Sequence, residues 1–453
     1  MKKILVYQAK IIKSAGFFGL GSSNSAVLDF LKRNYNGISF TLRSDFQLPQ
    51  GTNDFSRVLF GSEARQSISE DILFLSPSVR RDTPEFKTAA EHGTILSSDV
   101  EFFFEMKDIP VFAVTGSDGK STTATLASLM LTADSKPFPA SANIGLPMTS
   151  LLGSSDAVGT VAELSSFQLM NFSPRVERAL ITNFTENHLD WHSSIEEYAS
   201  AKENLITNAE KRIFNLDCEF NRKIMGKYPA YALYSAKIPY DVMQKSYNAE
   251  HYFSLENGYF SKNGKPYMKR DALLIKGEHN LSNFLAAAAL SSDIASTDDI
   301  IRVGTSFAGL THRARLICKF NGISFYDSSI DSTPSRTRVT LSAFSEPTVL
   351  LLGGRGKNLS YAPLLPLPRS VKAVVLTGEN RKEIKDALCS GSSEAPVYES
   401  ESFKEAVERA IEVSRSGDSV LLSPASTSFD SFSSYKERGK AFEDIIKKYY
   451  AAN

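Results

Sequence analysis

One short segment of the chain, residues 110–123, combines the residue types that bind a polyphosphate. It reads PVFAVTGSDGKSTT: an apolar run with the length of a buried strand, a glycine turn, a Lys-Ser pair and a helical pattern. In such a loop the glycines let backbone N–H groups face phosphate oxygens, Lys120 reaches the terminal phosphates and Ser121 can hold Mg²⁺. Walker A spacing would require a glycine at Val114, so the loop is a shortened variant. A chance surface turn is the alternative, but the flanking strand and helix favour a nucleotide site.

Polar side chains follow two further predicted strands. In VAELSSFQ, residues 161–168, Glu163 ends a strand, where a phosphate-loop protein needs a second Mg²⁺ ligand. In TNFTENHLD, residues 182–190, His188 can ligate a metal or orient a substrate, and Lys202 follows on a predicted helix. Each of these three residues has an ordinary alternative: a solvated acid, a structural histidine and a solvated helix lysine.

Three strand ends in the last third of the chain are also rich in polar residues and glycine. They read YDSS at 326–329, GGRGK at 353–357 and SPASTS at 423–428. Ligands of open α/β sheets bind outside the carboxyl ends of strands. Each segment alone is compatible with a turn, but together they predict a second binding site.

These residues are positioned by a chain of 453 residues, too long for one core, which predicts three domains. We expect domains at 1–108, 109–308 and 309–453, all of the α/β class with largely parallel sheets flanked by helices. The predicted strands, by domain, are 4–7, 38–42 and 72–75; 111–114, 158–164 and 178–183; and 323–326, 348–352, 373–376 and 420–422. Asn-Gly pairs at 257–258 and 263–264 predict a small β-meander over 252–268 in the central domain.

The first domain has a predicted glycine turn, GFFGLG at 16–21, followed by a helix over 26–31. A dinucleotide fold would have a third glycine at Asn24 and an acidic residue about twenty positions later. The second predicted strand ends instead in Arg43. Dinucleotide binding is therefore poorly supported, and binding of some other phosphate-bearing ligand stays open.

Bulk composition excludes several classes of function. With 51 basic and 51 acidic side chains the formal charge is zero, so no bulk field draws the chain to nucleic acid or to a membrane surface. No apolar run approaches the length of a membrane span. The 3 cysteines form neither a disulfide framework nor a zinc motif. We expect a cytoplasmic protein, monomeric, with neither a nucleic-acid partner nor a membrane-inserted segment.

Six motifs occur in an order that resembles the Mur ligases, the ATP-dependent amide-forming enzymes of peptidoglycan synthesis. They are TGSDGKST at 115–122, ELSSFQL at 163–169, FTENHLD at 184–190, GEHNLSN at 277–283, HRAR at 312–315 and LLSPASTSFDSF at 421–432. The second and last are most similar to the branch of the family that adds D-glutamate. The resemblance covers the chain from about residue 70 to the end and is faint before that.

The resemblance implies a fold and a reaction. The N-terminal domain, Rossmann-like, would hold a UDP-sugar; the central domain would be a P-loop ATPase; and the C-terminal domain, also Rossmann-like, would bind ATP and the amino acid. The γ-phosphate of ATP would pass to the carboxylate of UDP-N-acetylmuramoyl-L-alanine, and the amine of D-glutamate would displace phosphate from the acyl phosphate. Because two anions must meet, the site must be rich in cations.

The resemblance also implies roles for matched positions. The ATP contacts would be Gly116, Ser117, Asp118, Gly119, Lys120, Ser121, Thr122, Asn280, Asn283, Arg313 and Asp327. The Mg²⁺ ligands would be Ser121, Glu163, His188 and Lys202, with the lysine carbamylated by CO₂; the catalytic residues would be Lys120, Glu163, His188 and Lys202. Substrate contacts would be Asn143 and Ser165 for the UDP-sugar, and Lys357, Ser428 and Tyr435 for D-glutamate.

The chain departs from the family pattern in two places. Where the family has a lysine and a threonine after Asp-Ser, this chain has Ser329 and Asp331. A carboxylate beside D-glutamate would cost about 1 kcal/mol or more at an effective dielectric of about 20, and Arg355 adds a charge that would offset it. The aspartate expected to contact uracil is absent, because the second strand ends in Leu42-Arg43.

These departures keep alternatives open. Either the loop is realigned, so that Ser332 or Thr333 takes the role of the threonine, or the amino acid differs. One alternative is a ligase of the same type with another amino acid or acceptor, including an enzyme similar to folylpolyglutamate synthase. ELSSFQL argues against it, whereas the sequence at 329–333 leaves it open. The other, in a different class, is a non-catalytic nucleotide-binding paralogue, which the four predicted catalytic side chains disfavour.

Overall fold

The computed structural model describes residues 3–46, 53–107, 109–132, 136–153, 156–186, 191–356, 359–391 and 395–452. They form two compact units, one of residues 1–270 with 282–303 and the other of residues 271–281 with 304–453. Parallel sheets flanked by helices dominate both, so the predicted α/β class is confirmed. The predicted boundaries at 108 and 308 stay predictions, since the first unit holds two large sheets.

The N-terminal sheet has five parallel strands in the order β5-β4-β3-β6-β7. The strands of this region are β1 (Val6–Tyr7), β2 (Lys10–Ile11), β3 (Ser14–Phe18), β4 (Ser39–Ser44), β5 (Arg57–Phe60), β6 (Ile72–Leu75) and β7 (Ile95–Ser97). Its helices are α1 (Ser22–Asn34), α2 (Pro84–Glu91) and α3 (Asp99–Met106). A core of Phe17, Phe74 and Phe102 packs between the sheet and α1.

One prediction for this region is confirmed in part and another was wrong. Of the predicted strand 4–7, Val6–Tyr7 form β1, which pairs with β2 as an antiparallel hairpin outside the parallel sheet. The predicted glycine turn begins at Gly19, since Gly16 lies inside β3. A Cβ at Gly16 would lie 2.7 Å from Leu73 Cδ1. There the glycine permits close packing of the strand and makes no turn.

The central sheet has nine strands in the order β16-β15-β14-β13-β12-β11-β8-β10-β9. They are β8 (Val111–Thr115), β9 (Ala140–Ala142), β10 (Thr160–Glu163), β11 (Val176–Ile181), β12 (Ala209–Asn215), β13 (Ala232–Ser235), β14 (His251–Glu256), β15 (Tyr259–Lys262) and β16 (Lys265–Lys269). The helices are α4 (Lys120–Leu131), α5 (Ser166–Leu169), α6 (Ile195–Thr207), α7 (Glu219–Met225), α8 (Tyr240–Ser246), α9 (Glu278–Leu290) and α10 (Thr297–Ser306). The strands from β9 to β14 are mutually parallel.

The predicted β-meander is confirmed as β14, β15 and β16. Asn257 and Gly258 have φ angles of 52° and 76°, and Asn263 and Gly264 have 50° and 74°. Positive φ at both central residues defines the two-residue hairpin turns that match the twist of antiparallel strands. The meander extends the parallel sheet, because β14 pairs in parallel with β13.

The C-terminal sheet has six strands in the order β17-β18-β22-β19-β20-β21. They are β17 (Arg315–Phe320), β18 (Ile323–Asp327), β19 (Thr348–Gly353), β20 (Val371–Thr377), β21 (Val397–Glu399) and β22 (Ser419–Leu422). The helices are α11 (Pro334–Leu341), α12 (Arg381–Ser390), α13 (Phe403–Glu412) and α14 (Tyr435–Ala452). The four predicted strands are present, and the sequence missed β17, an antiparallel edge strand, and β21. Within the described ranges, no helix has the length and apolarity needed to cross a membrane.

Candidate active site

The predicted phosphate loop lies at the centre of the nine-stranded sheet. It connects β8 to α4, and β8 is flanked by β10 and β11. Glu163 pairs in register with Val114, and Ile181 with Thr115, so the three strands end at one edge. The later strands β10 and β11 pair on opposite sides of β8, so the strand order reverses there. Open α/β sheets bind ligands at the carboxyl end of such a switch point.

Two glycines allow this loop to fold against its neighbours. Gly116 and Gly119 have φ angles of 149° and 77°. A Cβ would lie 1.9 Å from Thr182 Oγ1 at the first position and 2.2 Å from Asn283 Oδ1 at the second. Both the backbone conformation and the available space therefore require glycine.

The residues between these glycines are held by the segment that follows β11. Thr182 Oγ1 donates to Asp118 O at 2.6 Å, and Asp118 N donates to Asn183 Oδ1 at 2.8 Å. The Ser117 hydroxyl donates to Thr185 O and accepts from Thr185 N, both at 2.9 Å. The loop is thus fixed independently of any ligand.

Two lysines converge on one carbonyl of the loop. Lys120, the first residue of α4, donates to Gly116 O at 3.0 Å and to Ser117 O at 2.9 Å. Lys202, from the buried face of α6, donates to Gly116 O at 2.7 Å, with its ammonium 4.5 Å from the ring centre of Tyr198. A solvated helix lysine was the alternative for Lys202, and its side chain is instead buried, with 1% exposed.

This environment shifts the pKa of Lys202. Burial, and secondarily the neighbouring charge of Lys120, lower that pKa from 10.5 to about 7, against the opposing effect of Asp118 and Glu163. Burial disfavours the charged form of an amine, and a like charge does the same. A large part of Lys202 is therefore an uncharged, nucleophilic amine near neutral pH.

Glu163 contributes an unsatisfied oxygen. Its carboxylate is buried, with Oε1 accepting from Asn143 Nδ2 at 3.4 Å, while Oε2 is buried with no hydrogen-bond partner among the described residues. A buried carboxylate oxygen without a partner is costly unless a cation occupies the site. The residues present thus fit a hard cation, with Ser121 on the adjacent first turn of α4.

No group of three or more His, Cys, Asp and Glu side chains among the described residues is arranged to hold a metal. Two of the predicted ligands, Ser121 and Lys202, are of other residue types, and His188 lies outside the described residues.

The remaining predicted residues of this sheet have structural contacts. Thr122 is buried on α4, and Asn283 Oδ1 accepts from Thr123 Oγ1 at 3.5 Å. Ser165 caps α5 through Gln168, so its hydroxyl has a structural partner.

In the second unit, Asp327 lies at the carboxyl end of β18. Its Oδ2 is 2.6 Å from His312 Nδ1, and its Oδ1 accepts from Ser329 N at 2.8 Å. The ring of Tyr435 meets that of His312 edge-on at 5.8 Å. Arg313 is exposed, two residues before β17 begins.

The other predicted residues of this unit lie on different segments. Asn280 donates to Lys276 O at 2.6 Å, and Ser428 is buried after β22. Lys357 lies outside the described residues. Arg355, two positions before it, pairs through backbone hydrogen bonds with Thr427 and is bonded through its guanidinium to Glu379.

Asp331 is occupied within the unit. The carboxylate is 5% exposed, and Oδ2 accepts from Thr340 Oγ1 at 2.7 Å and from Ser423 Oγ at 2.8 Å. These bonds stabilise a buried carboxylate and orient it toward α11 and β22.

Sequence reasoning missed two positioning side chains here. Arg438 is 2% exposed and donates to the carbonyls of Ser329, Ser426 and Thr427. Burial lowers its pKa to about 10. Asn380 accepts from Gly354 N at 2.9 Å and donates to Ser426 Oγ at 2.8 Å. The one available signal was the position of Arg438, one helical turn after Tyr435.

The departures in the N-terminal region are likewise structural. Arg43 is fully buried, forms two hydrogen bonds with Glu70 at 3.0 and 3.2 Å and also donates to the carbonyls of Ala64 and Gln66. Asn24, where a dinucleotide fold would have a glycine, donates to Gly19 O at 2.8 Å and to the end of β6. At the positions where ligand-binding residues were expected, Arg43 and Asn24 instead form hydrogen bonds that connect the sheet to neighbouring segments.

Known proteins match this chain along most of its length. The model described as the Mur ligase middle domain matches residues 114–291, and the one described as the Mur ligase, glutamate ligase domain matches 312–426. A UDP-N-acetylmuramoylalanine–D-glutamate ligase from Acetivibrio thermocellus is 34% identical over 458 aligned positions, covering 96% of both chains. The chain belongs to the Mur ligase family. It is therefore an ATP-dependent ligase, as the sequence motifs predicted.

Further Mur ligases show the same relation. The D-glutamate ligase from Clostridium novyi is 32% identical, again with 96% of both chains covered. The structure of UDP-N-acetylmuramate–alanine ligase from Thermotoga maritima aligns with a TM-score of 0.59 at 21% identity, covering 97% of this chain and 100% of that one. A UDP-N-acetylmuramoyl-L-alanyl-D-glutamate–2,6-diaminopimelate ligase aligns with a TM-score of 0.56 at 16% identity, covering 99% and 98%. These two structures share the fold of this Mur ligase.

The loop geometry makes a direct prediction at Gly119. Replacing it with alanine forces a left-handed backbone onto a residue with a Cβ and pushes that Cβ into Asn283, so we expect ATP binding to weaken by about tenfold or more. Gly153→Ala is the matched control, because nothing lies within 4 Å of a Cβ there. Isothermal titration with ATP tests both variants, and equal affinities would contradict the proposed role of this turn.

Proposed function

We propose that this Mur ligase joins D-glutamate to UDP-N-acetylmuramoyl-L-alanine, with ATP converted to ADP and phosphate, in peptidoglycan precursor synthesis. The D-glutamate ligases that are 34% and 32% identical to it, in alignments that cover 96% of the chain, support the choice of substrates. The observation that carries the chemistry is the convergence of Lys120, Lys202 and the unsatisfied Glu163 at one sheet edge.

The proposed ATP site lies on the phosphate loop. Backbone N–H groups from Gly116 to Thr122 and the N-terminus of α4 would bind the phosphates, and Lys120 would leave the loop carbonyls to meet the terminal phosphates. Asn283, Asn280, Arg313 and Asp327 are the further ATP contacts proposed.

We propose that Mg²⁺ is the cation that binds the unpartnered oxygen of Glu163. Ser121 and Glu163 would hold one ion, and His188 with Lys202 would hold a second. Magnesium neutralises phosphate charge when bound. Lys202 is suited to this role because its uncharged amine can react with CO₂, forming an N–C bond and releasing one proton. The resulting carbamate is an anion, which explains a lysine where a metal requires an acid.

The reaction then needs two substitutions in sequence. An oxygen of the alanyl carboxylate attacks the γ-phosphorus and ADP leaves; the amine of D-glutamate attacks the acyl carbon, loses a proton and expels phosphate. Lys120 stabilises the charge that develops on the transferred phosphoryl group. In the second unit we propose Lys357, Ser428 and Tyr435 as the D-glutamate contacts.

The acceptor completes the proposal. We assign the UDP-sugar to an N-terminal domain of residues 1–108, with Asn143 and Ser165 contributed by the central domain, 109–308, and the amino acid to 309–453. The hydrogen bond from Asn143 to Glu163 supports this assignment, because it keeps Asn143 beside the proposed reaction centre.

The first test is turnover with UDP-N-acetylmuramoyl-L-alanine, Mg²⁺, ATP and a panel of D- and L-amino acids, followed by product mass. We expect turnover only with D-glutamate. Lys120→Ala should lower kcat by about 10²–10³, as removal of one transition-state donor does, whereas Lys223→Ala, at an exposed lysine of α7, should not. Turnover with another amino acid would refute the specificity, and normal turnover of Lys120→Ala would refute the phosphate site.

Carbamylation of Lys202 is testable without turnover. With ¹³C-bicarbonate we expect a carbamate resonance in the NMR spectrum of the wild type that is missing in Lys202→Arg. With the pKa of the amine lowered to about 7, the signal should fall as the pH drops below 7, because the protonated amine does not react, and hold above it. A resonance that persists in Lys202→Arg would assign the carbamate to another site.

The inward orientation of Asp331 predicts that its charge does not act on the amino acid. Asp331→Asn should leave the KM for D-glutamate within about twofold while lowering the unfolding free energy by about 1–2 kcal/mol through weakened hydrogen bonds. Asp386→Asn, at an exposed site on α12, controls for the loss of one charge. A several-fold drop in KM with unchanged stability would mean that the carboxylate faces the substrate.

A further inference from the structure

Arg80 joins the N-terminal sheet to the central sheet. It lies in the loop after β6, where its guanidinium donates to both carboxylate oxygens of Asp82, at 2.9 and 2.6 Å. It also donates to both carboxylate oxygens of Glu197, at 3.2 and 3.0 Å, and to the carbonyl of Trp191 at 2.8 Å. One side chain thus bonds two segments that lie 111 and 117 residues further along the chain.

Trp191 grips the same loop from the central side. Its ring centre lies 4.9 Å from the Arg80 guanidinium, and its Nε1 donates to Ser78 O at 2.9 Å. Trp191 also packs against Phe167 of α5, with ring centres 4.4 Å apart. We call Arg80, Trp191 and Glu197 the inter-sheet clasp.

The clasp continues into the segments that carry the proposed active-site residues. Glu197 lies in the first turn of α6, the helix of Lys202, and accepts from Ser193 N at 2.8 Å. His192 Nδ1 is 3.2 Å from Glu197, and its Nε2 is 2.9 Å from the hydroxyl of Ser166, which is adjacent to Ser165. Arg80 therefore contacts Lys202's helix directly and the Glu163–Ser165 strand end through His192.

Charge and burial favour a persistent clasp. The Arg80 guanidinium is the main cause that lowers the pKa of the Glu197 carboxyl to about 2, so the pair stays charged across the neutral range. The Arg80 side chain is 25% exposed and that of Glu197 21%. Arg80, Phe167 and Trp191 also line a cleft between the loop after β6 and α5.

We propose that Arg80 is a positioning residue: through the inter-sheet clasp it holds α6 and the 191–193 segment in register with the N-terminal sheet, and so sets the orientation of Lys202 relative to the acceptor. This inference rests on the proposed function for its kinetic consequence. Its structural content, the clasp itself, can be measured separately.

Kinetics test the positioning role. Arg80→Gln should lower kcat by about tenfold or more, since a displacement of about 1 Å of a reacting group has effects of that size or larger. The KM for ATP should stay within about threefold, because the phosphate loop keeps its own hydrogen bonds. Arg80→Lys, which retains the charge, should recover part of kcat, a rescue that a purely structural role does not predict.

The neighbouring arginine is a matched control. Arg81 has a similar exposure, 22%, but its guanidinium bonds Glu101 of α3, within the N-terminal region. We expect Arg81→Gln to keep wild-type kcat. Glu197→Gln should reproduce the Arg80→Gln defect, and the double variant should be no worse than either single one, because both remove the same contact.

Tryptophan fluorescence reports on the clasp directly, since Trp191 is the single tryptophan of the sequence. We expect the emission spectrum to shift in Arg80→Gln and to stay unchanged in Arg81→Gln, with no substrate present. If the wild type makes no product with D-glutamate, the proposed function fails while the emission comparison still tests the clasp. Unchanged emission, or a kcat equal to that of Arg81→Gln, would overturn the proposal.

Discussion

The carbonyl oxygen of Gly116 accepts hydrogen bonds from two ammonium groups, those of Lys120 and Lys202. Burial, and secondarily the charge of Lys120, lower the pKa of Lys202, so the buried amine loses its proton more easily. Three neighbouring features allow this arrangement. Gly116 has a backbone conformation that favours glycine, and Thr182 occupies the space that a Cβ of residue 116 would need. Helix α6 places the side chain of Lys202 in the core. The site therefore holds basic side chains close together before any ligand binds, and a bound anion would reduce the repulsion between them.

The sequence predicted the parts of the fold that depend on local pattern. The phosphate loop and the Asn-Gly hairpins follow from apolar periodicity and turn residues, which act over a few positions. The same signals predicted the parallel strands β4, β6, β8, β10, β11, β18, β19, β20 and β22. It failed where distant packing decides. Gly16 has the local character of a turn residue but lies in β3, paired with Leu73 of the neighbouring strand, whose side chain leaves no space for a Cβ there.

The candidate site divides in the same way. A motif surrounds Lys120 and Glu163 and predicts a role for each, whereas Arg80 and Asn380 have no local signal and, like Arg438, act through contacts with residues far along the chain. Nor could the sequence tell that Arg43 and Asp331, which replace expected ligand contacts, are satisfied by internal partners. A buried hydrogen-bond network can absorb a charge that the motif alone suggests is facing a ligand.

The β-meander has a further consequence at the open border of the widest sheet. Its outermost strand, β16, presents Lys265, Pro266 and Lys269 to solvent, and the pairing with β15 is irregular between Phe260 and Ser261. Proline lacks an N–H donor, lysines must be desolvated before another strand can approach, and a bulge twists the ladder. Without β15 and β16 the sheet would have seven strands and end in β14; ending in β16, it presents an edge that is a poor template for pairing with the strand of another chain.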